Sequence, residues 1–378
     1  MTEIYVIRHV QAEGNLYRHM QGHWDGDVTS IGQQQRDALA ERFRDIPVDA
    51  VYSSDLWRAR FTASAITKYH DLPIQTDERL REINVGPWEA EPFANVLWED
   101  PEAFDTFMHD QEHFYLPGAE TFQQVQARVL TALYEIAERN PDRTVAITTH
   151  GVAIRCMLTK LLGVSLNDSE TVPIFVNTGV AHLFFEDGQF RVDYLNDASH
   201  LPPELLSSLF SGIALRHVCV DPYAYREIYE KSYADAWLAA HGNLQGFDAD
   251  TYFRAACEHY IHDRESIMLL YEGETFAGLI DLDTHRGAHA DYGWITLFYL
   301  CPEYRNRGLG VQLLGRAVAK YKKLGRRSIR LHVAEDNKPA LAFYRANGFE
   351  ELSRVPGTQA QLLLMEKKLE RFSDGYVR

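Results

Sequence analysis

Cysteine is scarce in this chain: Cys156, Cys219, Cys257 and Cys301 stand far apart, without Cys-x-x-Cys and without Cys/His pairing. That spacing offers neither a zinc site nor a disulfide framework, so no metal is expected and a reducing cytoplasm is the expected setting. No run approaches the roughly 18 apolar residues of a membrane span, which excludes a helical membrane protein. The first residues lack the basic, apolar and small-residue succession of a secretory signal. Internal repeats and low-complexity tracts are absent as well. Basic charge is short too, with 38 Lys and Arg against 54 Asp and Glu. Such a chain lacks the positive footprint that nucleic acid requires.

What is present suits two globular domains. The 378 residues, 46% apolar and 24% charged, are enough for two separate cores. Charge is divided unevenly: residues 1–212 hold 32 acidic and 16 basic side chains, net −16, whereas residues 213–378 hold 22 of each. Two modules of different character follow. Asn196-Asp197, Pro202-Pro203 and several serines break the pattern over 196–212, while Leu205, Leu206, Leu209 and Phe210 predict a short packed helix there. The expected division is a domain over 1–200, a linker over 201–213 and a second domain over 214–378.

In the first half, Ile4–Ile7, Val48–Tyr52 and Thr144–Thr148 read as buried strands, with helices at about 30–44, 56–69, 92–110, 120–139 and 152–162. Val180–Phe185 and Phe190–Tyr194 form a closing hairpin. This alternation predicts an α/β fold with a largely parallel sheet flanked by helices. The second half predicts helices over 223–240, 309–324 and 338–347, and strands over 266–271, 276–282, 293–300, 328–333 and 360–367.

Three of the first-half strands run into cationic or imidazole residues: Arg8-His9, Ser54 through Arg58, and His150-Gly151. In a parallel sheet those carboxyl ends share one edge, the edge at which open α/β sheets place ligands. Arg8, His9, Arg58 and His150 are thereby candidates to surround one anion, with neutral His as nucleophile and Arg neutralising phosphate oxygens. Glu82, in a loop flanked by apolar residues, is a candidate proton donor; Glu89 competes with it. His19 and His23 have a spacing that suits a metal, but Gln21-Gly22 between them reads as a loop, and a solvated pair is expected. The aromatic stretch 88–115 (Trp88, Phe93, Trp98, Phe104, Phe107, Phe114, Tyr115) reads mainly as packing, with a minority walling a pocket.

These blocks resemble the histidine phosphatase superfamily, the phosphoglycerate-mutase-like three-layer α/β/α fold. The motifs are Arg8-His9-Val10-Gln11-Ala12-Glu13-Gly14-Asn15, Asp25 through Gln35, Ser54 through Ala63, His150-Gly151 and Asn177 before a strand. The resemblance implies His9 as the phosphorylated nucleophile, Arg8, Arg58 and His150 around the phosphoryl group, Glu82 as proton donor, and Asn15, Gln21 and Gly22 on the substrate side. It implies hydrolysis of a small-molecule phosphoester, with a phosphoglycerate-type mutase as the alternative. Val10 and Ala12 depart from the family's Gly and Thr. They predict a lost loop hydrogen bond and, at Val10, a narrower approach of backbone to anion. On them rests another alternative, a non-catalytic phosphometabolite-sensing module that regulates the second half.

In the second half, strand 293–300 leads into Arg305-Asn306-Arg307-Gly308-Leu309-Gly310 and a helix. Glycines at a strand-to-helix turn let backbone N–H groups point at phosphate. A dinucleotide fingerprint is excluded because Leu313 stands at the third glycine's place, and a P-loop because Gly-Lys-Ser/Thr is missing. With Asn337-Lys338-Pro339-Ala340 and Tyr344 through Phe349, the stretch resembles the GNAT N-acetyltransferases, a mixed α/β fold, over about 214–370. The resemblance implies acetyl-CoA as co-substrate and an amine acceptor. Pyrophosphate would be held by backbone over Asn306, Arg307, Gly308, Leu309, Gly310 and Val311, the pantetheine arm by Phe298, Tyr299 and Leu300, with Asn337 nearby and Tyr344 protonating the thiolate. His332 and Glu303 are both candidates for the base. The whole predicts a bifunctional cytoplasmic enzyme; a homo-oligomer is compatible with everything in the sequence.

Overall fold

The computed structural model describes residues 1–168, 170–206, 212–357 and 359–369. It divides into two compact units between Gly212 and Ile213. In the stretch before that division, Pro203–Leu205 makes one 3-10 turn; Leu209 and Phe210 of the expected helix lie outside the described residues.

The first unit is built on β1 (Thr2–Arg8), α1 (Glu13–Tyr17), α2 (Ser30–Phe43), β2 (Ala50–Ser53), α3 (Trp57–Thr67) and β3 (Ile74–Thr76), then α4 (Phe93–Glu99), α5 (Pro101–His109), α6 (Phe122–Arg139), β4 (Thr144–Thr149), α7 (Gly151–Leu162), β5 (Val180–Glu186) and β6 (Gln189–Asp197). Strand order is β3-β2-β4-β1-β5-β6. The first four are mutually parallel, and β5 and β6 close the sheet antiparallel. Alternation along β1 sorts its side chains between two cores. Ile4 and Val6 join Val129, Leu133, Ile154 and Met157 of α6 and α7. Tyr5 and Ile7 join Leu39, Phe43, Ala63 and Ile66 of α2 and α3. The result is three layers, with the carboxyl ends of β1, β2 and β4 on one edge.

The helix expected over 92–110 is two helices. Asp100 precedes Pro101, adopts φ −140° and ψ 66°, and caps α5 by accepting from Ala103 N–H. A residue before proline is pushed out of the helical region, and here the chain turns.

The second unit contains β7 (Arg216–Cys219), α8 (Arg226–His241), α9 (Ala249–His262), β8 (Ile267–Glu272), β9 (Thr275–Asp283), β10 (Tyr292–Leu300), α10 (Gly310–Lys323), β11 (Ser328–Ala334), α11 (Lys338–Ala346), β12 (Phe349–Val355) and β13 (Leu362–Lys368). The sheet runs β12-β13-β11-β10-β9-β8-β7. All neighbours are antiparallel except β10 and β11. That parallel pair holds only at Tyr292↔Ser328, Gly293↔Ile329 and Trp294↔Arg330, and β10 is bulged between Ile295 and Leu297. Beyond Trp294 the two strands are no longer paired, which opens the middle of the sheet. Among the described residues no helix is long and apolar enough to cross a membrane.

Candidate functional sites

The strand ends of the first unit bring the four predicted residues into one region, where Arg8 and His9 line a cavity and Arg58 and His150 are not among its lining residues. Arg8 (β1), the following His9, Arg58 (first turn of α3) and His150 (preceding α7) are all buried. The His9 and His150 rings lie 5.2 Å apart between centroids. His9 Nδ1 lies 2.6 Å from the Val10 carbonyl oxygen. A carbonyl only accepts, so Nδ1 carries the proton and Nε2 keeps its lone pair. Burial, then the charges of Arg58 and Arg8, push the His9 pKa well below the usual histidine value. Burial and Arg58 do the same to His150. Burial also lowers Arg8 to about 10 against the opposing charge of Glu82, which leaves it cationic at neutral pH. The site is thus a neutral imidazole beside two guanidiniums, an arrangement suited to nucleophilic attack on an anionic phosphate.

Neighbouring groups fix these positions. Arg58 donates to the carbonyls of Gly22 (2.7 Å) and Trp24 (3.2 Å) and stands 3.7 Å from Asp25. Asp25 in turn accepts from Trp57 N–H and caps α3. Ser54 Oγ lies 2.8 Å from His150 Nε2. Arg8 Nη1 donates to the Phe175 carbonyl. Arg8 Nε, Arg58 Nε and His150 Nδ1 are buried with no hydrogen-bond partner, and buried polar atoms in that state suit a ligand that would satisfy them. Asn177 ties the His9 carbonyl (2.9 Å) to Asn15 Oδ1 (3.4 Å). Gln35 accepts from Gln11 N–H and donates to the Leu205 carbonyl, so the glutamine of the Asp25–Gln35 block braces the loop after β1.

A cavity of about 130 Å³ is lined by Arg8, His9, Asn15, Gln21 and Glu82. The Glu82 carboxylate accepts from Ile83, Val152 and Ala153 N–H at 3.1–3.2 Å, and so sits on the N-terminus of α7. Glu89 is used differently: it accepts from His23, Trp24 and Val85 N–H, pinning two loops together outside the cavity wall. Gly22 also lies outside the lining; a Cβ there would overlap the Ile83 carbonyl and the Glu89 carboxylate. Phe93 and Phe107 wall the cavity, whereas Trp88 and Phe114 pack beneath them.

Two expectations are corrected. Val10 does not narrow the approach to an anion: its side chain packs with Val28, Trp57 and Phe61, and its N–H donates to Thr62 Oγ1. His19 is not solvated but 1% exposed, and it lines the cavity.

In the second unit the opening between β10 and β11 is the floor of a cavity of about 590 Å³. Phe298, His332, Asn337 and Tyr344 line it. Tyr299 and Leu300 do not: Tyr299 hydroxyl donates to Asp235, and the Leu300 carbonyl accepts from Arg305. Asn337 Oδ1 caps α11 by accepting from Ala340 N–H. Tyr344 packs among Phe298, Phe343 and Phe349, and burial raises its phenol pKa, which keeps it protonated at neutral pH. At the turn before α10, Asn306 and Gly308 take φ of 57° and 72°. A Cβ on Gly308 would meet nothing within 4 Å, whereas one on Gly310 would press on Phe343 at 2.8 Å. None of residues 306–311 is among those that line the cavity. Of the two candidate bases, Glu303 lies on the exposed turn Pro302–Tyr304, away from the cavity. His332 faces it, its pKa lowered by burial and Arg286.

The sequence profile of the histidine phosphatase superfamily (branch 1) matches residues 4–198, just over half the chain. The chain belongs to that superfamily. The profile of the acetyltransferase (GNAT) family matches residues 223–349, and the two domains are fused in one polypeptide. The chain is similar to the probable phosphoglycerate mutase GpmB of Salmonella choleraesuis, at 27% identity over 214 residues, 55% of this chain and 99% of the relative. Among solved structures, YhfR of Bacillus stearothermophilus is 33% identical with a TM-score of 0.52, over 53% of this chain and 99% of that one.

Within the phosphatase domain, sequence reasoning passed over Arg128, Gln111 and Arg155. Arg128, in mid-α6, donates to the carbonyls of Arg79, Arg81 and Glu82 and pairs with Glu120. Gln111 and Arg155 line the cavity. No local pattern marks an arginine inside a helix as facing a ligand; only the packing of α6 and α7 does. In the GNAT domain the histidine of α9, His259, escaped because the helix itself did.

Proposed function

We propose that the chain is a bifunctional enzyme that hydrolyses a phosphomonoester through phospho-His9 and moves an acetyl group from acetyl-CoA to an amine. The observation that carries the first activity is the His9 ring, proton on Nδ1 against the Val10 carbonyl, beside buried Arg8 and Arg58. Nε2 attacks phosphorus, the ester oxygen leaves with the proton of Glu82, and Arg8 and Arg58 balance the equatorial oxygens. Water then attacks the phosphohistidine, Glu82 takes its proton, and phosphate departs from a neutral His9. The two guanidiniums supply the charge a metal would otherwise bring. Hydrolysis of p-nitrophenyl phosphate by the wild type in excess chelator, falling by at least about 10³-fold in His9→Ala, is the expected result. Turnover that survives His9→Ala sinks the phosphohistidine route.

A mutase reading has one support, the name of the Salmonella relatives. Phosphoryl transfer between the 2- and 3-positions of phosphoglycerate, faster than phosphate release, would favour it. The sensing reading loses its main support because Val10 stands outside the cavity wall.

In the acetyltransferase domain the amine attacks the thioester carbonyl and gives up a proton to the neutral His332 ring. The C–S bond breaks, and Tyr344 gives its proton to the departing CoA thiolate and is reprotonated at the expense of the proton His332 took. Acetyl-CoA, when bound, supplies the activated acetyl group. Tyr344→Phe is expected to lower acetyl transfer to a responsive amine by about 10²-fold or more, with acetyl-CoA affinity held within a few-fold. Equal rates in the two proteins would remove Tyr344 from the mechanism.

A further inference from the structure

One wall of the phosphatase-domain cavity is unused by the chemistry above. Arg155 follows Gly151 by four residues on α7, so Gly151, Val152 and Arg155 share one helix face, and all three line the cavity. The Arg155 side chain is 4% exposed. Its Nη2 donates to the Leu166 carbonyl at 2.9 Å, whereas Nε is buried without a hydrogen-bond partner. Burial works against its charge, and Asp168 favours it only from a distance, with both carboxylate oxygens engaged by Thr171. Gln111 lines the same cavity at 5% exposure, with Oε1 unpartnered. The segment Leu166–Asn167 ties the two together, since Arg155 donates to Leu166 and Glu112 N–H donates to Asn167.

A guanidinium does not lose its proton at neutral pH. Holding one buried with an unsatisfied N–H is costly, and a ligand oxyanion removes that cost. The Glu82 carboxylate binds the start of α7 at Val152 and Ala153. Arg155 stands two to three residues further along the helix, ~3–4.5 Å along the axis. We propose that Arg155 is a specificity subsite that binds a second oxyanion of the phosphoester substrate, a carboxylate or a second phosphate. This rests on the hydrolase reading of the domain.

The test is a three-carbon series on the full-length protein: glycerol 1-phosphate, 3-phosphoglycerate and glycerol 1,3-bisphosphate. The wild type is expected to show kcat/KM at least about tenfold higher for one doubly anionic compound than for glycerol 1-phosphate. Which one it is distinguishes carboxylate from phosphate. Arg155→Gln should lose about 10- to 100-fold on that compound, mostly in KM, and at least tenfold less on glycerol 1-phosphate. Arg155→Lys should recover part of the loss. Absence of a wild-type preference, or an equal loss on all three compounds, overturns the proposal and leaves Arg155 a brace for Leu166. Calorimetric titration of the same compounds into His9→Ala, with and without Arg155→Gln, reads the subsite without turnover. If the wild type hydrolyses nothing and His9 takes no acid-labile phosphate, the hydrolase reading fails, and the calorimetry alone decides Arg155.

Discussion

A buried imidazole serves as nucleophile only when its proton is held on the far nitrogen, and in this chain a backbone carbonyl does the holding. The Val10 carbonyl takes the His9 Nδ1 proton while the Val10 side chain fills a cluster with Trp57 and Phe61. That position therefore serves the site through its backbone and the core through its isopropyl group. Val10→Gly, which restores the residue usual in the superfamily, is expected to destabilise the domain by about 2 kcal/mol through a cavity and added backbone freedom. No gain in kcat/KM should accompany it. Denaturant midpoints with aryl phosphate kinetics check this, and an activity gain would mean the side chain does obstruct the ligand. The proximity of Arg8, His9, Arg58 and His150 was legible from the sequence because three parallel strands of one sheet lead into them, β1 into Arg8 and His9, β2 into Arg58 and β4 into His150. The orientation of Val10 was not, since a motif records which residue follows a strand and not which way it faces.

Helices in this molecule work through their ends and flanks. Glu82 is held by three N–H groups that include the N-terminus of α7, and the loop that carries it is held from behind by Arg128 of α6. Arg128→Met removes the donor to three carbonyls and leaves Glu120 without its guanidinium, held by the Asn84 N–H and near His23, at an expected cost of about 2–4 kcal/mol. Its kinetic signature should copy Glu82→Gln at lower amplitude: a large loss on alkyl phosphates, whose leaving oxygen needs a proton, and a small loss on p-nitrophenyl phosphate, whose leaving group does not. A loss independent of leaving group would confine Arg128 to structural support. Elements with a strong period were readable in advance, among them α6, α10 and the strands β1, β4 and β10. The edge strands β3, β7 and β12 were not, because β3 and β7 are only three and four residues long and β12 is exposed along most of its length, so none carries apolar alternation. Helix α9 was hidden similarly, with Phe253, Ala256 and Cys257 as its only buried residues.

The two units answer pH in opposite directions. In the phosphatase domain, His9 and His150 are kept neutral by burial and nearby arginines. The unfolded chain takes up protons at both near pH 6.5 while the folded domain does not, so stability present above that pH is lost as the medium becomes more acid. In the GNAT domain, burial opposes protonation of His259, but hydrogen bonds and charge from Asp281 and Asp283 prevail and raise its pKa to about 10. Here the folded state holds a proton the unfolded chain releases near 6.5, so stability is complete below that pH and fades as pH climbs toward 10. Asp283, lowered to about 2, titrates outside this window. Scanning calorimetry of the full chain is therefore expected to resolve two transitions, one falling below pH 6.5 and the other falling between pH 6.5 and 10. His259→Gln should flatten the alkaline response of the second while lowering it at neutral pH, because Asp281 then stays buried with Tyr229 as its remaining side-chain donor. Two transitions that move together across the range, or an alkaline slope unchanged in His259→Gln, would show that the Asp–His–Asp cluster does not control the acetyltransferase domain.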